Sequence, residues 1–173
     1  MFVESKRGVT LDGKPMTLVG PALKVGDRAP NFTLIAADMS EIKLESLKGK
    51  PALLSTLLSV STSICDAATK RFNEAAGALS NKVPFLTVST DLPYSLKSWC
   101  TAAGVEHVNT TSDHKDTNFG QAFGTLVKEL RAHSRAIFVL DKDGVINYVE
   151  YVPEIGNHPD YDKALAAIKA LAQ

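Results

Sequence analysis

Charge of one sign is what this 173-residue chain lacks most plainly: nineteen Lys and Arg stand against nineteen Asp and Glu, and the formal net charge is zero. Broad binding to nucleic acid or to an anionic membrane draws on an excess of basic residues, so neither partner is expected. Long apolar runs are missing too; none approaches the roughly 20 residues a membrane helix needs. The opening residues, Met1-Phe-Val-Glu-Ser-Lys-Arg-Gly8, hold no apolar stretch suited to a signal peptide. Only two cysteines occur, too few for a disulfide scaffold. The expectation is a cytoplasmic protein whose cysteines are either inert packing or redox-active. His107, His114, His133 and His158 show neither HxH nor HExxH spacing, so no metal site is inferred. Asp141-Lys-Asp-Gly144 lacks the further ligands of a calcium loop and reads as a turn.

What is present is ordinary for a globular protein. Hydrophobic residues make up 45% and charged residues 22%, and no linker, repeat or low-complexity tract divides the chain. One domain over residues 1–173 is expected, long enough to bury a core without disulfide or metal. Val9-Thr-Leu11 and Met16-Thr-Leu-Val19 flank Asp12-Gly13, a tight-turn pair, and predict an N-terminal hairpin over about residues 8–20. Residues 52–58 and 85–89 are nearly continuous apolar runs, as expected of strands buried on both faces. Between them Cys65, Ala68, Phe72, Ala76 and Leu79 recur at steps of three and four, one apolar stripe of a helix. Residues 93–103 read as a second helix closed by Gly104. Residues 136–140 and 145–149 flank the 141–144 turn as a hairpin, and residues 161–172 form a last helix. This order predicts an α/β, thioredoxin-like fold: a central mixed sheet flanked by helices, with the N-terminal β-hairpin as an extension.

Cys65 falls where the first buried strand gives way to the helix. Thr62 or Ser63 can act as N-cap, and Ser63-Ile-Cys-Asp66 fits the capping-box pattern. In either frame Cys65 sits in the first turn, where free N–H groups and the helix dipole favour an anionic sulfur and a reactive thiol. The alternative is packing, since Cys65 also begins the apolar stripe and free cysteine is often buried. Cys100, on the second helix, reads on its own as a packing residue. It lies 100 − 65 = 35 positions from Cys65, so the chain has no CxxC dithiol.

Several stretches in order resemble the thiol peroxidase branch of the peroxiredoxins, the atypical two-cysteine type. They are residues 18–32, Thr62-x-x-Cys65-Asp66 with Thr69-Lys-Arg-Phe-Asn-Glu74, Ser89-Thr-Asp-Leu-Pro93 leading to Trp99-Cys100, and Ser112-Asp-His-Lys-Asp116. Lys128-Glu-Leu-Arg131, Arg135-Ala-Ile-Phe-Val-Leu-Asp141 and Tyr148-Val-Glu-Tyr-Val-Pro153 continue the likeness, which covers nearly the whole chain. The resemblance implies a hydroperoxide reductase with no metal and no organic cofactor. It implies that Cys65 is the peroxidatic nucleophile, Thr62 a hydroxyl partner to thiolate and peroxide, and Arg135 a guanidinium beside the sulfur. Cys100 would be the resolving thiol of an intrachain disulfide, thioredoxin the reductant, and a homodimer the assembly. A disulfide needs Cα atoms within roughly 7 Å, so two packed helices would have to loosen locally to form it.

The chain departs from the family pattern just before Cys65. Leu58 and Ser63 stand where the branch carries prolines, and Ser61 stands where an acidic or amide residue is common. Proline fixes φ and suits the first helical position, so these changes alter how the loop is held. They leave open a rival: a non-catalytic or weakened redox-sensing or binding protein on the same fold.

Overall fold

Strands that alternate residues between two faces, with helices on each face, organise the chain around one large sheet. The computed structural model describes residues 3–79 and 82–173. Its strands are β1 (Glu4–Ser5), β2 (Thr10–Leu11), β3 (Lys14–Pro15), β4 (Leu18–Val19), β5 (Thr33–Ala36), β6 (Glu41–Lys43), β7 (Ala52–Thr56), β8 (Phe85–Ser89), β9 (Asn109–Ser112), β10 (Leu126–Val127), β11 (Ala132–His133), β12 (Ala136–Leu140) and β13 (Ile146–Tyr151). Its helices are α1 (Ser63–Ala78), α2 (Pro93–Ala103), α3 (Asn118–Phe123) and α4 (Tyr161–Leu171), with a 3₁₀ turn at Leu44–Leu47. The large sheet has the order β13-β12-β7-β8-β9-β5-β6. Strands β7, β8 and β9 pair in parallel and the other neighbours are antiparallel, so the sheet is mixed, as expected.

The period of two in the strands explains the two cores. Ala52 and Leu54, Leu86 and Val88, and Ala136, Phe138 and Leu140 face Phe119 and Phe123 of α3. Their alternates Leu53, Phe85, Ile137 and Val139 face Phe72 and Ala76 of α1, Ala164 and Ile168 of α4, and Trp99 and Cys100 of α2. Strands β7, β8 and β12 are therefore covered on both sides, which is why their sequences run apolar without alternation. Truncating one of the fully buried Phe or Leu side chains removes about 2–5 kcal/mol.

Turn chemistry is legible in the backbone. Asp12 and Gly13 have φ of 51° and 75° and close β2 onto β3, the left-handed pair a two-residue hairpin requires. The hairpin is shorter than expected. Leu18 and Val19 leave it for β4, which lies between β1 and β10 in a separate sheet of order β1-β4-β10-β11. Burial decides this: Leu18 has no exposed surface and packs on Val9, Val127 and Ile155. The 141–144 turn forms as expected, with Asp141 Oδ1 accepting from the backbone N–H groups of Asp143 and Val145.

Candidate active site

Helix α1 begins on Thr62, whose backbone is extended (φ −83°, ψ 147°) and whose carbonyl accepts from Asp66 N at 2.9 Å. The expected capping box does not form. The Thr62 side chain makes no cap bond and donates instead to the Ser59 carbonyl at 3.1 Å, while Asp66 pairs with Lys70 at 2.9 Å. A hydroxyl has one proton, and here the turn before the helix takes it. Cys65 is the third residue of α1, in the first turn, where backbone N–H groups lack helical partners.

The Cys65 sulfur is fully buried, walled by Leu57, Val60 and Leu96 with Trp99 alongside. Its polar partner among the described residues is Arg135, whose Nη2 donates to Sγ at 3.2 Å. One further bond holds that guanidinium, and two more hold the backbone that carries it. Arg135 Nε donates to the Ile155 carbonyl at 3.2 Å, and the Arg135 carbonyl accepts from Val152 N at 2.9 Å. On the other side Thr56, at the end of β7, donates its hydroxyl to the Ser134 carbonyl at 2.7 Å. With only 2% of its surface exposed, Arg135 is an interior cation whose Nε and Nη2 donate to the Ile155 carbonyl and to the sulfur. Buried arginine is tolerated when it is paired, and the guanidinium's fixed fork makes it the cation suited to such a post.

Cys100 lies on α2, half-buried, with Sγ 3.1 Å from Thr110 Oγ1 on β9. Both cysteines are free thiols. Leu96, which touches the Cys65 cluster, sits one turn before Cys100 on the same helical face, so Cys100 is about 6 Å further along the axis. Trp99 packs against both clusters and stands between the two sulfurs' surroundings.

Of the sequence-predicted residues, the fold thus brings Arg135 to Cys65 in direct contact. It puts Thr62 in the turn preceding Cys65 with its proton directed elsewhere, and Cys100 on the helix that covers Cys65. Residues the sequence did not single out complete the setting. Tyr161 begins α4 with its ring against Phe72 and under Arg71; burial raises its hydroxyl pKa, against the opposing pull of the Arg135 and Arg71 guanidiniums. Glu154 grips the N-terminal hairpin, accepting from Thr10 Oγ1 at 2.6 Å and from the backbone N–H groups of Asp12, Gly13 and Gly156. Neither could be read from spacing, because the partners lie far apart in the chain.

Among the described residues no group of His, Cys, Asp and Glu could hold a metal ion, and no helix is long and apolar enough to cross a membrane. A buried thiol at a helix start, met by an arginine from a neighbouring strand of a thioredoxin-like sheet, defines a class: residues 24–165 match the Redoxin family, and the chain belongs to it. Within that family it is similar to several thiol peroxidases. It is 51% identical to the thiol peroxidase of Halalkalibacterium halodurans over 162 residues, covering 94% of this chain and 97% of that protein. It is 47% identical to the thiol peroxidase of Bacillus subtilis over 165 residues, covering 95% and 98%. A crystal structure of a peroxiredoxin-like protein from Aquifex aeolicus superposes with a TM-score of 0.88 at 36% identity, covering 94% of this chain and 96% of that one. The protein is a peroxidase, an oxidoreductase on the redoxin fold, and the non-catalytic rival is not favoured.

Proposed function

We propose that the protein reduces hydrogen peroxide and alkyl hydroperoxides through Cys65, with Cys100 as resolving thiol and thioredoxin as reductant. The observation that carries the residue assignment is the 3.2 Å contact between Arg135 Nη2 and Cys65 Sγ. A guanidinium at that distance favours the anionic sulfur and meets the charge that develops on the peroxide oxygens during attack. In the first step the Cys65 thiolate bonds to the terminal oxygen and the O–O bond breaks. The leaving alkoxide takes a proton, giving an alcohol (water from hydrogen peroxide) and a sulfenic acid on Cys65. In the second, the Cys100 sulfur attacks the sulfenic sulfur, water leaves, and the intrachain disulfide forms. A thioredoxin dithiol then takes up the oxidation and restores both thiols. No metal or organic cofactor enters this sequence.

Thr62 is the hydroxyl assigned to the peroxide; its proton must turn from the Ser59 carbonyl to serve there. Because Cys65 is fully buried under Leu96 of α2, peroxide entry and disulfide closure both call for α2 to yield. Residues 1–173 would act as one domain in the cytoplasm, a reading that rests on length and composition, and as a homodimer, which rests on the family resemblance.

The test is peroxide consumption in the presence of thioredoxin and its reductase. Cys65→Ser abolishes turnover, and Cys100→Ser leaves a sulfenic acid that thioredoxin reduces poorly. One equivalent of peroxide should lower the mass of the parent protein by two hydrogens. A parent protein that consumes no peroxide overturns the proposal.

A further inference from the structure

The segment before Cys65 carries Ser59, Ser61 and Ser63 and no proline, so hydrogen bonds must hold its backbone. The structure supplies one carboxylate. Asp91 Oδ1 accepts from the Ser59 hydroxyl at 2.8 Å, and Oδ2 accepts from Val60 N at 3.0 Å and from the Ser89 hydroxyl at 2.8 Å. Ser59 passes the constraint on: its Oγ lies 2.8 Å from Ser61 Oγ and accepts from Ser61 N at 3.2 Å, while its carbonyl accepts from Thr62 N and Thr62 Oγ1. Asp91 is itself anchored, since its own N–H donates to Ser89 Oγ and its carbonyl accepts from Ser112 Oγ at 2.5 Å. An unbroken chain of bonds therefore runs from the end of β8 to the residue that starts α1.

The same residue stands at the entrance to α2, which begins two positions later at Pro93 and carries Leu96, Trp99 and Cys100. One side chain thus ties the approach to Cys65 to the approach to Cys100. We infer that Asp91 is a positioning residue for the peroxide step, holding the serine-rich loop and Thr62 in place and latching that loop to the resolving helix. The inference rests on the cysteine roles proposed above. Hydrogen bonds to an ionised carboxylate are stronger than neutral ones, so this post suits Asp and is weakened in Asn. The latch acts oppositely on the two steps: it keeps the reactive geometry that peroxide attack needs, and it resists the loosening that disulfide closure needs.

The backbone also says where proline could replace it. Thr62 is extended, the conformation preferred before proline, and Ser63 is the first residue of α1, where proline is favoured. Among the described residues the Ser63 N–H donates no hydrogen bond.

Stopped-flow fluorescence of Trp99, the single tryptophan and a neighbour of the Cys65 cluster, separates a peroxide-dependent phase from a peroxide-independent closure phase. Asp91→Asn should slow the first about tenfold, the loss expected for weakened charge-assisted bonds, and leave the second unchanged or faster. Adding Ser63→Pro to Asp91→Asn should restore most of the lost rate. Ser59→Ala, which keeps the carboxylate, should slow the first phase about threefold and carries the test if Asp91→Asn does not fold. A peroxide phase within twofold of the parent in both single variants, both phases slowing together, or no recovery with Ser63→Pro would overturn the inference. A parent protein with no peroxide-dependent phase would instead refute the peroxidase assignment beneath it.

Discussion

Arg135 Nη2 stands 3.2 Å from the Cys65 sulfur, although 70 residues separate the two in the chain. The contact is the product of sheet register. Pairing of β12 with β7 sets Ala136 opposite Thr56, so the residue before Ala136 and the helix reached by the loop after Thr56 meet at one end of the sheet. Thr56 seals the junction by donating its hydroxyl to the Ser134 carbonyl.

Replacing Arg135 therefore tests two functions at once. Arg135→Ala removes the cation and the donor to sulfur, and should lower the second-order rate constant with peroxide by about 10²–10³, as for loss of one preorganised donor. Arg135→Lys keeps the charge, but an ammonium on a flexible stem cannot hold both the Ile155 carbonyl and the sulfur in a fixed fork. Its rate should fall between the two. A lysine variant as fast as the parent would show that charge alone suffices.

Thr62 offers a second measurement. Thr62→Val preserves shape and removes the hydroxyl; Thr62→Ser preserves the hydroxyl. If the hydroxyl serves only the Ser59 carbonyl, Thr62→Val costs about 1 kcal/mol of stability and leaves the peroxide rate near the parent value. The role proposed here requires more: a peroxide rate lower by at least tenfold in Thr62→Val, with Thr62→Ser close to the parent. Paired rate and denaturation measurements separate the outcomes.

The scaffold was legible because it rests on local chemistry. The apolar stripe from Cys65 through Ala76 marks α1, and Gly104, with φ of 69°, ends α2 where a left-handed residue was expected. Continuous apolar runs marked β7, β8 and β12. Strands β1, β10 and β11 were not legible, and β4 was read as part of the hairpin, since two residues have no period and their pairing is set by the burial of Leu18 and Val127. The capping box failed for a related reason: local pattern allowed it, but the Thr62 hydroxyl found the Ser59 carbonyl first. Arg135 was found through family resemblance and not through spacing. Asp91, Glu154 and Asp113 each gather partners from distant segments, and no window of sequence displays that.

Asp113 makes the point for stability. It is 2% exposed and accepts from Phe119 N at 3.1 Å, Gly120 N at 2.9 Å and Asn118 Nδ2 at 3.2 Å. His133 Nε2 also lies 3.2 Å from its Oδ2, though not aligned as a hydrogen bond, while His133 Nδ1 meets Thr125 Oγ1 at 2.8 Å. Asp113→Ala would leave two backbone donors and the Asn118 amide without this acceptor. The expected cost is about 3–5 kcal/mol, or a fall in Tm of about 10 °C for a chain of this size. Thermal and urea unfolding give the value; a loss under 1 kcal/mol would mean water enters and replaces the carboxylate.

Glu154 gives a pH dependence with a definite sign. The Thr10 hydroxyl foremost, opposed by partial desolvation and joined by the N–H groups of Gly13, Gly156 and Asp12, pulls its carboxyl from 4.5 to about 2. A carboxyl depressed on folding stabilises above its unfolded value, and that contribution is lost as pH falls from about 4.5 towards 2. The carboxylate holds the hairpin of β2 and β3 against residues 153–156, the segment whose Ile155 carbonyl receives Arg135 Nε and whose Ile155 N–H donates to the Thr10 carbonyl. The protection of the Asp12 and Gly13 amides, relative to their intrinsic exchange at each pH, should therefore fall through that window while the protein stays folded. Glu154→Gln should already show low protection there at pH 7, lose no further protection between pH 4.5 and 2, and react more slowly with peroxide because the Arg135 fork is less firmly set. If the glutamine variant kept both the parent's protection and its peroxide rate, the hairpin would be an ornament to the fold and not a brace for the arginine.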